Sequence, residues 1–403
     1  MGLVKINQRE RDKLLKRAKE HIFSTGMNDA AATLAQANMQ YGLAKIHWVQ
    51  KEFGMDSDAT FIGTPDETIT RNVSRWNRGV SYGGKVSWGS GKEKFIVLDV
   101  KPNACGMIVG ALGSFPTQQE LLSHLYKLQK KERYIDGVKL QWDFNAGNHF
   151  IDVFKVDSVK GRYAQYMTIL HGGCGELKHD NVKGFGFYFD ESPLLQSILK
   201  EVDTPWGVMH ILEGSNATEY MKFHDYGIDF SQKRRVVALK EIFGTQKILT
   251  NKPHQYMLNY NEILLGCQHV GDIKELHPVS IRADLPSYLM FGKKNFTKEQ
   301  IQNLGWEERS YHIGANKRLR NANLLPHGGG YSFPDSLMLK KIYEIGGQRF
   351  FDVKMINEGG RKIIRDPRSI PFSYRGNEVA LKTVELGMGE IAAELHPLYA
   401  LSV

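Results

Sequence analysis

The sequence predicts one mixed α+β domain that opens with helices. Three observations predict it. Apolar residues recur at helical spacing between 5 and 54, and short β-rich runs broken by glycine follow to about 110. Beyond that point helical and strand patterns alternate, with no repeat, no low-complexity tract and no linker rich in Pro and Ser. The expected organisation is a helical region over 1–78 packed on a larger domain over 79–403.

The elements follow in order. RERDKLLKRAKEHIF and NDAAATLAQANMQYGLAKIHWVQKEFG read as helices, the second stopped by Gly54. RGVSYGGKVSWGSG reads as a hairpin or a pair of loops, and KFIVLDV as a buried strand. TQQELLSHLYKLQKKERY reads as a helix, and HFIDVFKV and YAQYMTILH as strands, each ending near a histidine. Residues 216–244 form a long helical pattern, YLMFGKK a strand, and GNEVALKTVELGMGEIAAEL a closing packed helix.

With 403 residues, 41% hydrophobic and 24% charged, the chain has the balance of a soluble globular protein. No apolar run approaches a membrane span, and the charged N-terminus lacks the apolar core of a signal peptide, so a cytoplasmic setting is expected. The three cysteines, Cys105, Cys174 and Cys267, are too few and too scattered for a disulfide framework. The net charge of +9 is compatible with a polyanionic partner and does not establish one.

Four stretches place a metal-capable or nucleophilic side chain after a strand and against glycine. They are NACGM with Cys105, AGNHFIDV with His149, ILHGGCGE with His171, and LLPHGGGYSFP with His327. One thiolate and two or three imidazoles suit a borderline metal such as manganese, zinc or cobalt. Glycines let phosphate oxygens approach backbone N–H groups. Each residue also has a structural reading: Cys105 as a small buried hydrophobe, and the histidines as hydrogen-bonded core residues.

In order along the chain, CGM at 105–107, GNHFIDV at 147–153, ILHGG at 169–173 and PHGGG at 326–330 resemble the motifs of the RtcB-type RNA ligases. EYMKFHDYGIDFSQKRRVVALKEIFG, PSYLMFGKK and PFSYRGNEVALKTVELGMGEIAAEL extend the resemblance from about Gly79 onwards, with Arg234 matching the arginine of an Asn-Arg pair. The resemblance implies a central cleft lined by strand ends and glycine loops. It implies an enzyme that joins RNA ends bearing a 3′-phosphate or 2′,3′-cyclic phosphate to a 5′-hydroxyl, using GTP and Mn2+. His327 would carry the guanylate. Cys105, His149 and His171 would hold one or two metal ions, and Asn148, Asp152, Ser287 and Gly328, Gly329 and Gly330 would face the nucleotide. Asp152 stands where the family has a glutamate, Pro102 where it has an aspartate, and Tyr260 where it has a third metal histidine, for which only His254 or His269 nearby could substitute, without a spacing that favours either. IRADLP at 281–286 and Tyr331 replace a glycine loop and an arginine at the phosphates. The alternative expectation is a divergent relative with altered nucleotide chemistry, or one that binds RNA without catalysis. NKRLRNAN at 316–323 is the expected RNA-contacting rim.

Overall fold

The N-terminal helices begin where a side chain caps them. Asn7 accepts from the N–H of Glu10 and Asp29 from that of Ala32, opening Gln8–Glu20 and Ala30–Glu52. The computed structural model describes residues 3–144, 147–244, 246–356 and 360–401. In it the second helix is buried along most of its length, as its alanine-rich, nearly uncharged sequence requires.

The N-terminal region is more than helical. Ile22–Ser24 pairs with Thr60–Thr68, and Thr60–Thr68 pairs with Tyr82–Ser87. Glu262–Leu265 and Met257–Asn259 complete that five-stranded sheet. The expected boundary at 78/79 therefore runs through a continuous sheet.

The central sheet has seven antiparallel strands in the spatial order Lys247–Gln255, Cys105–Leu112, Tyr166–Gly172, Phe150–Ser158, Gly389–Leu401, Ser287–Gly292 and Leu276–Val279. Its first and last strands touch, so the sheet nearly closes into a barrel. Strand alternation sorts the side chains. Met107, Val109, Phe154, Ile169 and Leu289 form one apolar cluster inside. Ile108, Ile151, Val153 and Leu170 face outward, packing with residues of the helices Gln118–Lys130 and Gly214–Phe243. Both helices occupy the predicted segments, the first closed by a reciprocal Thr117–Glu120 capping box.

The C-terminal expectation needs correction. The predicted helix stops after Glu378–Glu385, where Gly387 takes a left-handed φ of 64°, and Gly389–Leu401 is a strand of the central sheet. GMGEIAAEL alternates as well as it repeats at 3.6, and the strand pairings on both sides decide between the two. Three short helices within 298–320 and a three-stranded sheet over 336–364 were not foreseen. Among the described residues no helix is long and apolar enough to cross a membrane.

Candidate metal and nucleotide site

Three neighbouring strands bring the metal-capable residues to one end of the barrel. Met107 lies opposite His171 in the register of adjacent strands. Cys105 is two residues from Met107, so period-two alternation puts it on the same inward face as His171. On the other side Gln255 lies opposite Cys105, and the register shifts between Pro253 and Gln255. This bulge turns His254, which strict alternation would send outward, into the group.

Cys105, His171 and His254 are buried and place their ligand atoms within 4.8 Å of one another, a group that can hold a metal ion. Cys105 Sγ is 3.1 Å from His171 Nε2 and 3.4 Å from His149 Nε2, so the sulfur lies between two imidazoles. His171 Nε2 is 3.2 Å from His254 Nε2.

The hydrogen bonds behind these rings favour ligation. His171 Nδ1 donates to the Asn148 carbonyl at 2.9 Å, and His149 Nδ1 lies 2.8 Å from Asp143 Oδ2. With Nδ1 so engaged, each ring turns Nε2 toward the sulfur, the nitrogen a metal would take. Burial disfavours the charged form of His149, but the Cys105 sulfur and the Asp143 carboxylate outweigh it and push its pKa up to about 10. Burial likewise opposes ionisation of Cys105, yet His171, His149 and His254 together hold its thiol well below the usual range. Burial, with His327 adding to it, brings the His254 pKa down to about 3, so the ring is neutral. A metal ion entering the group would displace the proton that the Cys105 sulfur and Asp143 hold on His149, leaving a thiolate and imidazoles, the donor set that manganese, zinc or cobalt accepts.

Arg234 does not reach this group. It is buried, with Nε 2.9 Å from Glu176 and Nη2 2.7 Å from Asp143, so it steadies the carboxylate that holds His149. The expected histidine position at Tyr260 is also corrected. Tyr260 packs against the main apolar cluster, and His254, six residues earlier in the chain, supplies the third imidazole. Asp99 cannot stand in for the carboxylate missing at Pro102, because it is buried against the backbone N–H of His210 and Arg78. Asn103 beside it accepts from the N–H of Cys105.

His327 faces the same cleft, its ring centroid 4.5 Å from that of His254. Its Nδ1 donates to Asp66 Oδ2 at 2.7 Å. The same oxygen accepts the backbone N–H groups of His327 and Gly328 at 3.0 and 3.2 Å, and Thr64 donates to the other oxygen at 2.5 Å. Asp66 thus fixes the loop and the ring together, leaving Nε2 as the ring nitrogen that the carboxylate does not engage. Asp66 was not singled out in the sequence. It lies in GTPDET, more than 250 residues from His327, and only the strand Thr60–Thr68 brings it there.

The glycines have a reason beyond the ligand. A Cβ on Gly328 would meet the Ser280 carbonyl at 2.6 Å, and one on Gly329 the Arg375 carbonyl at 2.6 Å. Gly330 adopts a φ of 67° against the Asp66 carbonyl. Close backbone packing alone demands these three residues, and all three also line the cleft.

The cleft encloses about 930 Å³, within the range that holds a nucleotide. Asn148 and Asp152 line it, together with Phe150, Tyr331 and Tyr374. Ser287 does not: its hydroxyl is buried and accepts from the N–H of Ile281 at 3.2 Å. Arg282 of the IRADLP segment reaches the cleft, paired with Asp284. Arg71 and Lys178 line it without an ion pair among the described residues. The NKRLRNAN segment is not part of the lining, and its Arg318 is spent on Asp58 and the Gly89 carbonyl.

Asp152 points inward from its strand with one carboxylate oxygen lacking any partner, and burial raises its pKa to about 8. The folded carboxyl keeps its proton to about pH 8, whereas an unfolded one releases it near 4. The folded state therefore binds more protons between those limits, and stability falls as pH rises through that window. Asp152→Asn should gain stability relative to the parent between pH 5 and pH 8, by roughly 1–3 kcal/mol since relaxation softens the full linkage value. Chemical denaturation at the two pH values checks this; parallel profiles would refute it.

No protein-family model matches the chain, and no curated protein is significantly similar to it.

Proposed function

We propose that this protein is a nucleotide-activated RNA ligase. It would join a 3′-phosphate or 2′,3′-cyclic phosphate end to a 5′-hydroxyl through a histidine-linked guanylate on His327, with GTP and Mn2+. The observation that carries the reading is the Asp66–His327 pair opening onto a cleft shared with the cysteine–histidine group.

The chemistry follows from what each side chain offers. A neutral imidazole locked with Nδ1–H on a carboxylate is a nucleophile at Nε2 and needs no separate base. His327 Nε2 would attack the α-phosphorus of the nucleotide, forming a P–N bond as the P–O bond to pyrophosphate breaks. Where the end is cyclic, water would first attack the phosphorus with the 2′-oxygen leaving; an oxygen of the resulting 3′-phosphate would then take the guanylate and free His327. The 5′-hydroxyl would attack that phosphorus and release GMP. Cys105, His149, His171 and His254 would hold the metal, which supplies charge neutralisation at the phosphates. Arg71, Lys178 and Arg282 are the cations that the lining offers to the phosphates. Asp152, protonated in the empty cleft, would release that proton to solvent as the nucleotide binds and accept the N–H donors of a guanine edge through its free oxygen.

Two measurements test the assignments. Asp66→Asn removes the negative charge beside Nδ1 and turns one of the two acceptor oxygens into an NH2 donor, and should slow self-guanylylation by about 10²–10⁴-fold, with metal content unchanged. Unchanged labelling would remove Asp66 from the mechanism. Asp152→Asn should lower the preference for GTP over ATP in the same labelling assay, by 10-fold or more on the scale of about 1.5–3 kcal/mol for a charged hydrogen bond. An unaltered ratio would place the base elsewhere.

A further inference from the structure

The three-stranded sheet over 336–364 has no part in the site described so far. Its strands are Ser336–Ile345, Gln348–Met355 and Arg361–Ile364. It grows out of the cleft wall. Tyr331–Ser332 pairs antiparallel with Ser373–Tyr374, and both tyrosines line the cleft, so the whole excursion between them is rooted there.

Register divides the sheet into two faces. Phe351, Val353 and Ile364 are buried together, with Leu339 and Ile342 packed on them, against Ala31, Leu34 and Ala35 of the helix Ala30–Glu52. The opposite face carries the directly paired sets Lys341–Asp352–Ile363, Tyr343–Phe350 and Met338–Lys354–Arg361. Met338 and Ile363 are 45% and 60% exposed there, more apolar surface than a solvated sheet needs. Three cations stand on this face against one carboxylate, Asp352, which pairs with Arg361. The charge is regional as well. Residues 336–375 hold nine Lys and Arg against four Asp and Glu, five of the chain's net +9 in a tenth of its length.

We propose that this outer face is a docking platform for single-stranded RNA, leading a strand to the cleft. The proposal rests on the RNA-end reading above and adds the surface that would hold the strand. Aromatic rings and exposed apolar side chains interleaved with cations suit unpaired bases stacked over a phosphate backbone. An acidic protein would match the charge but not the ring pair Tyr343–Phe350, and the root at Tyr331 and Tyr374 aims the platform at the reacting centre. Arg71 stacks on Phe372 at 3.9 Å where the excursion rejoins the cleft, continuing the same pattern.

The test uses the full chain and the pair Lys341→Gln and Lys354→Gln. Both residues lack an ion pair among the described residues, and neither belongs to the cleft lining. Binding of a fluorescent single-stranded RNA ending in a 3′-phosphate is followed by anisotropy across salt concentrations, beside labelling of the protein by α-labelled GTP. The double variant should bind about 10-fold more weakly at low salt, and its log–log salt slope should fall by about 1.4, at roughly 0.7 per lost cation. GTP labelling should be unchanged, and a duplex of the same sequence should compete poorly. Affinity and slope equal to the parent, equal competition by duplex, or no RNA binding by the parent would each overturn the platform. Absence of labelling in a parent that still binds RNA through these lysines would leave the platform standing and remove the proposed chemistry instead.

Discussion

His327→Ala should abolish covalent labelling of the protein by α-labelled GTP and lower RNA joining by about 10⁴–10⁶-fold, the scale on which a covalent mechanism loses its nucleophile. The size of the effect follows from the geometry. Asp66 holds Nδ1, so Nε2 is the one ring nitrogen available for attack. No neighbouring imidazole replaces it: Nε2 of His254 and Nε2 of His171 face each other at 3.2 Å, and Nε2 of His149 faces the Cys105 sulfur. The variant keeps its fold, because Asp66 retains the backbone N–H groups of residues 327 and 328 and the Thr64 hydroxyl. Its thermal transition, measured beside the labelling, should stay within a few degrees of the parent. Retained labelling in the variant would end the assignment.

Cys105→Ser should remove the metal proposed for this group. Its sulfur touches His149 and His171 at once, and a serine hydroxyl stays protonated at neutral pH and is a poor ligand for a borderline metal. Metal affinity should fall by more than about 100-fold, beyond the 10–100-fold expected when only an outer hydrogen-bond partner is lost, as in Asp143→Asn. Elemental analysis after gel filtration reads both variants. Cys174→Ser and Cys267→Ser are the controls, since burial raises both thiols and neither belongs to the ligand group. Equal metal in Cys105→Ser and the parent would show that the ion, if bound, sits elsewhere.

The parts of the fold written in local pattern were legible. Helices with a cap and a long apolar rhythm, such as Ala30–Glu52 and Gly214–Phe243, and strands with clear alternation, such as Phe150–Ser158, fall where the sequence places them. Legibility failed where long-range pairing decides. Gly389–Leu401 is a strand because two partners pair with it, and nothing in GMGEIAAEL alone says so. The sheet over 336–364 mixes lysines and isoleucines that read as an irregular basic stretch until register sorts them onto two faces.

The same division holds in the site. Cys105, His149, His171 and His327 stand out because glycine flanks each, and the structure brings all four to one cleft. His254 hides behind a bulge that no periodicity reveals. Asp66 hides behind sequence distance, and its burial in a strand of nine buried residues, itself a mark of a functional carboxylate, shows only in the fold. Ser287 illustrates the opposite error, since a strand that leads toward a site does not make its own first residue a contact.

The most direct test of the account is to incubate the metal-loaded protein with α-labelled GTP, and separately ATP, and to map the labelled peptide. The account predicts an acid-labile guanylate on His327 within LLPHGGGY. A label on another residue, or none on a folded protein with its metal in place, would contradict it.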